Sequence, residues 1–129
     1  MQKLLVVEDQ ADIRSLIRAT LEYEAYELHE AEDGARGLHL ARALRPALML
    51  LDVMMPGELD GIQVCERLKK DPATAGIKVV LLTARGQKAD VQVGHAAGCD
   101  AYLIKPFSPL QLIDTIEQLL AAPQGAAAR

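Results

Sequence analysis

The stretch Ala47-Leu48-Met49-Leu50-Leu51-Asp52 decides the fold, because five apolar residues run without interruption into a single carboxylate. Continuous apolar runs of this length are typical of strands that are buried on both faces of a sheet. Two similar runs, Leu4 to Val7 and Val79 to Leu82, are likewise bounded by polar or turn residues. Together the three runs predict the central strands of a parallel sheet.

The segments between these runs change to helical spacing. Ile13, Leu16 and Ile17 fall on one face of a helix, and Ile113 and Ile116 repeat the pattern near the end of the chain. With two weaker strands, the predicted strands lie near 3–8, 26–31, 47–52, 77–82 and 101–104, and the helices near 10–24, 34–45, 60–70, 87–97 and 108–121. This alternation predicts an α/β, doubly wound, flavodoxin-like fold with five parallel strands and helices on both faces. We expect the strand order 2-1-3-4-5.

Length and composition narrow the class of protein. The 129 residues suffice for one domain, which we place at 1–121, and residues 122–129 are predicted to be a flexible tail or a linker stub. Half of the residues are hydrophobic and a quarter are charged, which is the balance of a soluble globular protein. The net charge of −4 has the wrong sign for binding nucleic-acid phosphates, so we expect no direct nucleic-acid binding.

The cysteines and the apolar runs predict the cellular location. Cys65 and Cys99 lie far apart in the chain without a C-x-x-C pair, which favours two reduced thiols over a disulfide framework or a zinc site. No apolar stretch approaches the roughly 18 residues of a membrane span, and acidic residues near the N-terminus argue against a signal peptide. We therefore expect a cytoplasmic protein that does not bind a membrane.

Polar side chains stand where four of the five predicted strands end. They are Glu8 and Asp9, Asp52, Thr83, and Lys105. Ligands of an open parallel sheet bind beyond the carboxyl ends of its strands, and strands one and three are neighbours in the expected order. Each such residue alone is more often a turn former, a cap or a solvated side chain. Their shared placement nevertheless predicts a functional site.

Three carboxylates at one site should not all stay ionised unless a cation lies among them. An open group of acids suits Mg²⁺, which keeps waters and a substrate phosphate in its octahedral shell. Asp52, on the middle strand, is the candidate nucleophile, since a carboxylate can attack a phosphoryl group to form an aspartyl phosphate. Mg²⁺ and Lys105 would stabilise the phosphoryl oxygens, Thr83 would donate a hydrogen bond to one of them, and Ala84 would offer a backbone N–H.

Four motifs resemble those of the response regulator receiver domains of bacterial two-component signalling, over residues 3–121. They are Leu-Val-Val-Glu-Asp at 5–9, Leu-Asp-Val-Met-Met-Pro at 51–56, Leu-Leu-Thr-Ala at 81–84 and Ala-Gly-Cys-Asp-Ala-Tyr-Leu-Ile-Lys-Pro-Phe at 97–107. The resemblance implies that Asp52 is the phosphoacceptor. It also implies that Mg²⁺ is held by the side chains of Glu8, Asp9 and Asp52 and by the backbone carbonyl of Met54.

The same resemblance implies roles for the remaining residues and for partners. Thr83 and Lys105 contact the phosphoryl group, and Pro106 follows a cis peptide bond that turns Lys105 inward. Tyr102 is the aromatic switch residue that moves when Thr83 reorients toward phosphate. The phosphoryl donor is a histidine kinase or a histidine phosphotransfer protein. Phosphorylation switches a face formed by the predicted helix 87–97, strand five and the predicted helix 108–121, which a downstream effector, an output domain or a second copy in a homodimer would bind.

One departure from the family pattern lies in the loop after the phosphoacceptor. The usual Met-Pro-Gly-Met-Asp-Gly is replaced by Met55-Pro56-Gly57-Glu58-Leu59-Asp60-Gly61, which is one residue longer. We expect Asp60 to cap the third helix, and the longer loop brings Glu58 within reach of the site or of a partner. Arg85 and Met54 occupy positions that vary in the family and influence the lifetime of the phosphoryl group.

Two other classes of function compete with this interpretation. A small phosphohydrolase would use Asp52 through a covalent phosphoaspartate, but Met54 stands where such an enzyme would carry a second acid. A flavin or nucleotide binder would need a glycine-rich phosphate loop after strand one, where Glu8-Asp9-Gln10 would repel phosphate. The leading interpretation is a phosphorylation switch that promotes only its own phosphorylation and dephosphorylation, not an enzyme that acts on an external substrate.

Overall fold

A computed structural model of the chain describes residues 1–84 and 96–121. The strands are β1 (Gln2–Val7), β2 (Tyr26–Ala31), β3 (Leu48–Asp52), β4 (Lys78–Ala84) and β5 (Ala101–Lys105). The helices in this part of the chain are α1 (Ala11–Leu21), α2 (Gly34–Leu44), α3 (Gly61–Lys70) and the C-terminal helix (Pro109–Ala121). Most of the predicted helix at 87–97, and the predicted tail at 122–129, lie outside the described residues. Within 1–84 and 96–121, no helix is long and apolar enough to cross a membrane.

The five strands are parallel and lie in the order β2-β1-β3-β4-β5, which confirms the predicted doubly wound topology. Val7 at the end of β1 is level with Leu51 of β3, which is level with Leu81 of β4. The chain order reverses between β1 and β3. A crevice therefore opens beside the residues that follow β1 and the residues that end β3.

Alternate residues of the central strands fill two hydrophobic cores, one on each face of the sheet. Leu5 and Met49 belong to the core that includes buried residues of α2 and α3. Leu4 and Leu48 belong to the other core, which includes buried residues of α1 and of the C-terminal helix. All five residues of β3 are buried, so the apolar run of this strand is explained by helices packed on both sides.

Two element boundaries differ from the sequence prediction by more than one residue. α1 ends at Leu21 rather than near 24, and the chain turns there, with the N–H of Glu24 donating to the carbonyl of Leu21 at 3.0 Å. β4 continues past the predicted end at 82, because Thr83 and Ala84 both pair with β5. Thr83 and Ala84 are therefore held by the sheet rather than by a loop.

The longer loop leads into α3 through a reciprocal cap. The Asp60 side chain accepts a hydrogen bond from the N–H of Gln63 at 2.9 Å, and the Gln63 side chain accepts one from the N–H of Asp60 at 3.0 Å. This capping box confirms the predicted cap. A Cβ atom at Gly61 would collide with the carbonyl oxygen of Asp52, so only glycine allows α3 to begin this close to the end of β3.

Replacing Asp60 with alanine is expected to lower the free energy of unfolding by about 1 kcal/mol, because the N–H of Gln63 loses its acceptor. Urea unfolding measures the change. Glu58→Ala, at an exposed position of the same loop, is the matched control, with an expected change below about 0.5 kcal/mol. Equal effects of the two substitutions would contradict the capping role.

Candidate functional site

The ends of β1, β3 and β5 bring three carboxylates and one ammonium group together. Carboxylate oxygens of Glu8, Asp9 and Asp52 all lie within 4.8 Å of one another. Lys105 Nζ lies 2.7 Å from Glu8 Oε1 and 3.2 Å from Asp52 Oδ1. Side chains that are widely separated in the sequence therefore form one cluster at the crevice.

Two of the three carboxylates are buried. Glu8 is 0% exposed and Asp52 is 3% exposed, whereas Asp9 is open to solvent. The N–H of Met54 donates to Asp52 Oδ1 at 3.2 Å. Because buried like charges destabilise a fold unless a cation lies between them, the Lys105 ammonium, which contacts both Glu8 and Asp52, stabilises this arrangement.

Two members of the cluster, Glu8 and Lys105, bind their protons more tightly than they would in water. Burial above all, followed by the neighbouring Asp52, raises the pKa of Glu8 to about 8, against the opposing effect of Lys105. Burial alone would lower the pKa of Lys105, but its hydrogen bond to Glu8 and the charge of Asp52 raise that pKa overall. With a pKa of about 8, the Glu8 carboxyl holds a proton at neutral pH, and a bound divalent cation would displace it.

The raised pKa of Glu8 predicts how stability depends on pH. An unfolded glutamate titrates near 4.5 and Glu8 near 8, so the folded chain holds an extra proton between these values. The stabilisation that comes from the proton on Glu8 is fully present below about pH 4.5 and is lost as the pH rises through about 8. Glu8→Gln cannot lose the proton, so its unfolding free energy is expected to fall less with rising pH, by about 1–3 kcal/mol.

Urea unfolding of both proteins in EDTA, at about pH 5 and about pH 9, measures this difference. Chelation removes divalent cations, which would otherwise stabilise the ionised form. Parallel pH dependences of the wild-type protein and Glu8→Gln would show that Glu8 does not carry the extra proton.

β4 places Thr83 and Ala84 beside the cluster. Asp52 is level with Leu82, and Thr83 is the next residue of the neighbouring strand. Thr83 is buried, and its hydroxyl donates a long hydrogen bond of 3.4 Å to the carbonyl of Ala84, which is exposed. A hydrogen bond of this length is weak, so the Thr83 hydroxyl can exchange it for a stronger acceptor.

The structure also describes the other residues to which the resemblance gives a role. Tyr102 lies on β5, level with Leu81, and is 38% exposed. The peptide bond between Lys105 and Pro106 is cis. Met54 is 62% exposed. The switch role of Tyr102 and the metal-binding role of the Met54 carbonyl stay predictions, and Arg85 lies outside the described residues.

A groove of about 590 Å³ opens on the side of the cluster where the longer loop lies. Asp9 and Glu58 are among the residues that line it. The loop approaches the start of α2 so closely that a Cβ atom at Gly34 would collide with the carbonyl oxygen of Leu59. The loop thus forms one wall of an acidic groove beside Asp9.

The donor atoms of the cluster fit a hard divalent cation. Mg²⁺ prefers carboxylate oxygens and usually keeps waters in its coordination shell. Glu8, Asp9 and Asp52 offer oxygens within 4.8 Å of one another, and the exposed side of Asp9 leaves room for water and phosphate.

The sequence prediction missed one residue that contacts this site, Arg14. Its Nη1 donates a hydrogen bond of 2.6 Å to the backbone carbonyl of Glu8. The only signal in the sequence is an arginine on the helix that follows Glu8 and Asp9. Arginines on exposed helix faces are usually solvated, so this spacing alone does not distinguish Arg14 from its neighbour Arg18.

Comparison with known proteins identifies relatives of the whole domain. Residues 4–117 match the response regulator receiver domain family. The chain is 40% identical over 120 residues to the DNA-binding dual master transcriptional regulator RpaA of Synechocystis sp., covering 93% of this chain and 49% of RpaA. It is 42% identical over 118 residues to the transcriptional regulatory protein ResD of Bacillus subtilis, covering 92% of this chain and 48% of ResD. The chain thus spans about half the length of these relatives.

A solved structure shows the same architecture over nearly its whole chain. The chemotaxis response regulator CheY4 of Vibrio cholerae superposes with a TM-score of 0.85 at 29% identity, over 92% of this chain and 98% of that chain. The chain belongs to the response regulator receiver domains of two-component signalling.

Proposed function

We propose that this receiver domain accepts a phosphoryl group on Asp52, with Mg²⁺ bound beside it, and thereby switches its binding to a partner. The observation that carries the proposal is the position of Asp52. Its carboxylate is 3% exposed, lies 3.2 Å from the Lys105 ammonium, and shares one cluster with Glu8 and Asp9. A carboxylate in such a site can act as a nucleophile toward phosphorus while nearby cations offset the charge that develops.

Glu8, Asp9 and Asp52, together with the backbone carbonyl of Met54, are the proposed Mg²⁺ ligands. Bound Mg²⁺ supplies positive charge that stabilises the oxygens of the transferring phosphoryl group. The acidic oxygens support this assignment by their chemistry and their spacing within 4.8 Å. Loading the site requires Glu8 to release its proton, since only the carboxylate binds a metal.

The covalent step forms a bond between a carboxylate oxygen of Asp52 and phosphorus, and breaks the bond between phosphorus and the donor's leaving group. The leaving group departs with the electron pair of the broken bond. Lys105, already 3.2 Å from Asp52, is placed to contact an oxygen of the new phosphoryl group. Thr83 can turn its hydroxyl from the 3.4 Å bond with the Ala84 carbonyl to another phosphoryl oxygen, and the Ala84 N–H is a further donor.

The proposed partners follow from this chemistry and from the family. A histidine kinase or a histidine phosphotransfer protein supplies the phosphoryl group. Phosphorylation adds about −1.5 to −2 charges at the crevice. Movement of Thr83 and Tyr102 then shifts a two-state equilibrium on the face that includes β5 and the C-terminal helix. A downstream effector, an output domain or a second copy of the chain binds that face.

The domain promotes only its own phosphorylation and dephosphorylation in this proposal. Its place of action is the cytoplasm, which the two cysteines support because neither forms a disulfide. The proposal includes no direct contact of this domain with nucleic acid or membrane. DNA binding by RpaA is a property of that longer protein.

Incubation of the purified domain with acetyl phosphate or phosphoramidate tests the proposal. With Mg²⁺, intact-mass spectrometry should show one phosphoryl group per chain, labile to acid, and EDTA should abolish it. Absence of the adduct at saturating donor and Mg²⁺ would contradict the proposed function. Multiple-turnover release of phosphate from a small phosphate monoester would instead support the phosphohydrolase.

A further inference from the structure

The peptide group that joins Glu8 to Asp9 is held at both of its polar ends. Its carbonyl, from Glu8, accepts the hydrogen bond of 2.6 Å from Arg14 Nη1. Its N–H, from Asp9, donates to Glu8 Oε2 at 3.1 Å. Because a peptide group is planar, these two bonds restrict the orientation of the plane that joins the two acidic residues. The directions in which the Glu8 and Asp9 side chains extend from the backbone are therefore restricted as well.

Arg14 is itself held in place by the edge strand of the sheet. Its side chain is 15% exposed, and Arg14 Nε lies 3.5 Å from Glu30 Oε1 on β2. Two hydrogen bonds of 2.8 Å from Arg18 orient the same Glu30 carboxylate. Glu30 is level with Val6 of β1, two residues before Glu8. The guanidinium of Arg14 thus joins α1 and β2 to the end of β1.

We propose that Arg14 is a positioning residue for the Mg²⁺ site, which it serves by holding the Glu8–Asp9 peptide so that both carboxylates face one cation. This inference rests on the proposed function. Arg14 touches neither the metal nor the phosphoryl group. Groups that orient metal ligands in this way commonly affect metal affinity by about 10–100-fold.

Charge and geometry predict opposite results when Arg14 is replaced by a neutral residue. Removing a cation beside three carboxylates would by itself strengthen Mg²⁺ binding. Releasing the Glu8–Asp9 peptide would weaken Mg²⁺ binding, because both ligands would then have to be ordered when the metal binds. The short hydrogen bond from Arg14 to the Glu8 carbonyl favours the loss of Mg²⁺ affinity. Whether the Mg²⁺ affinity falls or rises therefore distinguishes the effect of geometry from the effect of charge.

The experiment measures the Mg²⁺ dissociation constant by isothermal titration calorimetry for the wild-type protein, Arg14→Gln and Arg14→Lys. We expect Arg14→Gln to bind Mg²⁺ about 10-fold more weakly. Arg14→Lys keeps the positive charge but lacks the guanidinium fork, so we expect partial rescue. In phosphorylation from acetyl phosphate, the Mg²⁺ concentration for half-maximal rate should rise in Arg14→Gln, with little change in the rate at saturating Mg²⁺.

Arg18→Gln is the matched control, since it removes an arginine that binds the same Glu30 but does not contact the Glu8 backbone. We expect its Mg²⁺ affinity to stay within about 2-fold of the wild-type value. Thermal unfolding in EDTA establishes that each variant is folded. If Arg14→Gln does not fold, Arg14→Lys, which should still bind more weakly than the wild-type protein, decides the question.

Unchanged or stronger Mg²⁺ binding in the folded Arg14 variants would overturn the inference, as would an equal loss in Arg18→Gln. Both results leave the proposed function intact, because the wild-type protein still binds Mg²⁺. A wild-type protein that binds no Mg²⁺ would overturn the proposed metal site together with the inference.

Discussion

Replacing Asp52 with asparagine is expected to lower the amount of covalent phosphoryl adduct at least about 100-fold while the protein keeps its fold. The reason is that an amide oxygen is a far weaker nucleophile than a carboxylate. Asparagine is nearly isosteric with aspartate. Its side-chain oxygen can still accept the hydrogen bond from the N–H of Met54, which Asp52 Oδ1 now accepts at 3.2 Å. Intact-mass spectrometry after incubation with acetyl phosphate and Mg²⁺ measures the loss, and urea unfolding reports the fold.

Asp12→Asn provides the control for this substitution, since Asp12 is an exposed carboxylate on the first turn of α1. It should accept phosphate as the wild-type protein does. If Asp52→Asn is labelled as fully as Asp12→Asn, Asp52 is not the phosphoacceptor.

Lys105→Met is the second substitution with a large expected effect. The ammonium lies 2.7 Å from Glu8 and 3.2 Å from Asp52, and among the described residues it is the side-chain cation that pairs with Asp52. Loss of one such preorganised donor commonly slows a reaction by about 10²–10³-fold. We expect a decrease of that size in the rate of phosphorylation at saturating Mg²⁺, measured from the time course of adduct formation.

Lys70→Met is the matched control, because the Lys70 side chain is 75% exposed on α3 and pairs only with Glu66 of the same helix among the described residues. Its phosphorylation rate should remain within about 2-fold of the wild-type rate. A Lys105→Met protein that is folded and phosphorylated as fast as Lys70→Met would contradict the role of the ammonium.

The arrangement of strands and the composition of the acidic cluster could be predicted from the sequence for a simple reason. Strict alternation of strands and helices with short connections permits few topologies, and the order 2-1-3-4-5 is among the commonest. In that order, residues that follow β1 and residues that end β3 must be neighbours. The position of Glu8 and Asp9 beside Asp52 therefore follows from the topology, without knowledge of any side-chain conformation.

Side-chain pairing between distant elements could not be predicted in this way. The sequence predicts a contact of Lys105 with phosphate, but it does not predict the contacts by which Lys105 joins Glu8 to Asp52. Lys69 donates hydrogen bonds to the carbonyls of Ala75 and Ile77 and to Asp100. The hydrophobic periodicity of the sequence does not predict these bonds. Such contacts require donor and acceptor atoms on separate elements to lie about 3 Å apart. The hydrophobic pattern of a sequence does not position helices and strands with that precision.

The position of the phosphoryl group on the chain is the measurement that tests the account most directly. Borohydride reduction of the protein treated with acetyl phosphate and Mg²⁺ converts a phosphorylated aspartate to homoserine, which tandem mass spectrometry locates in the sequence. We predict a single converted residue, Asp52, whose conversion requires Mg²⁺. Conversion at another carboxylate instead of Asp52, or at Asp52 equally well in EDTA, would contradict the account.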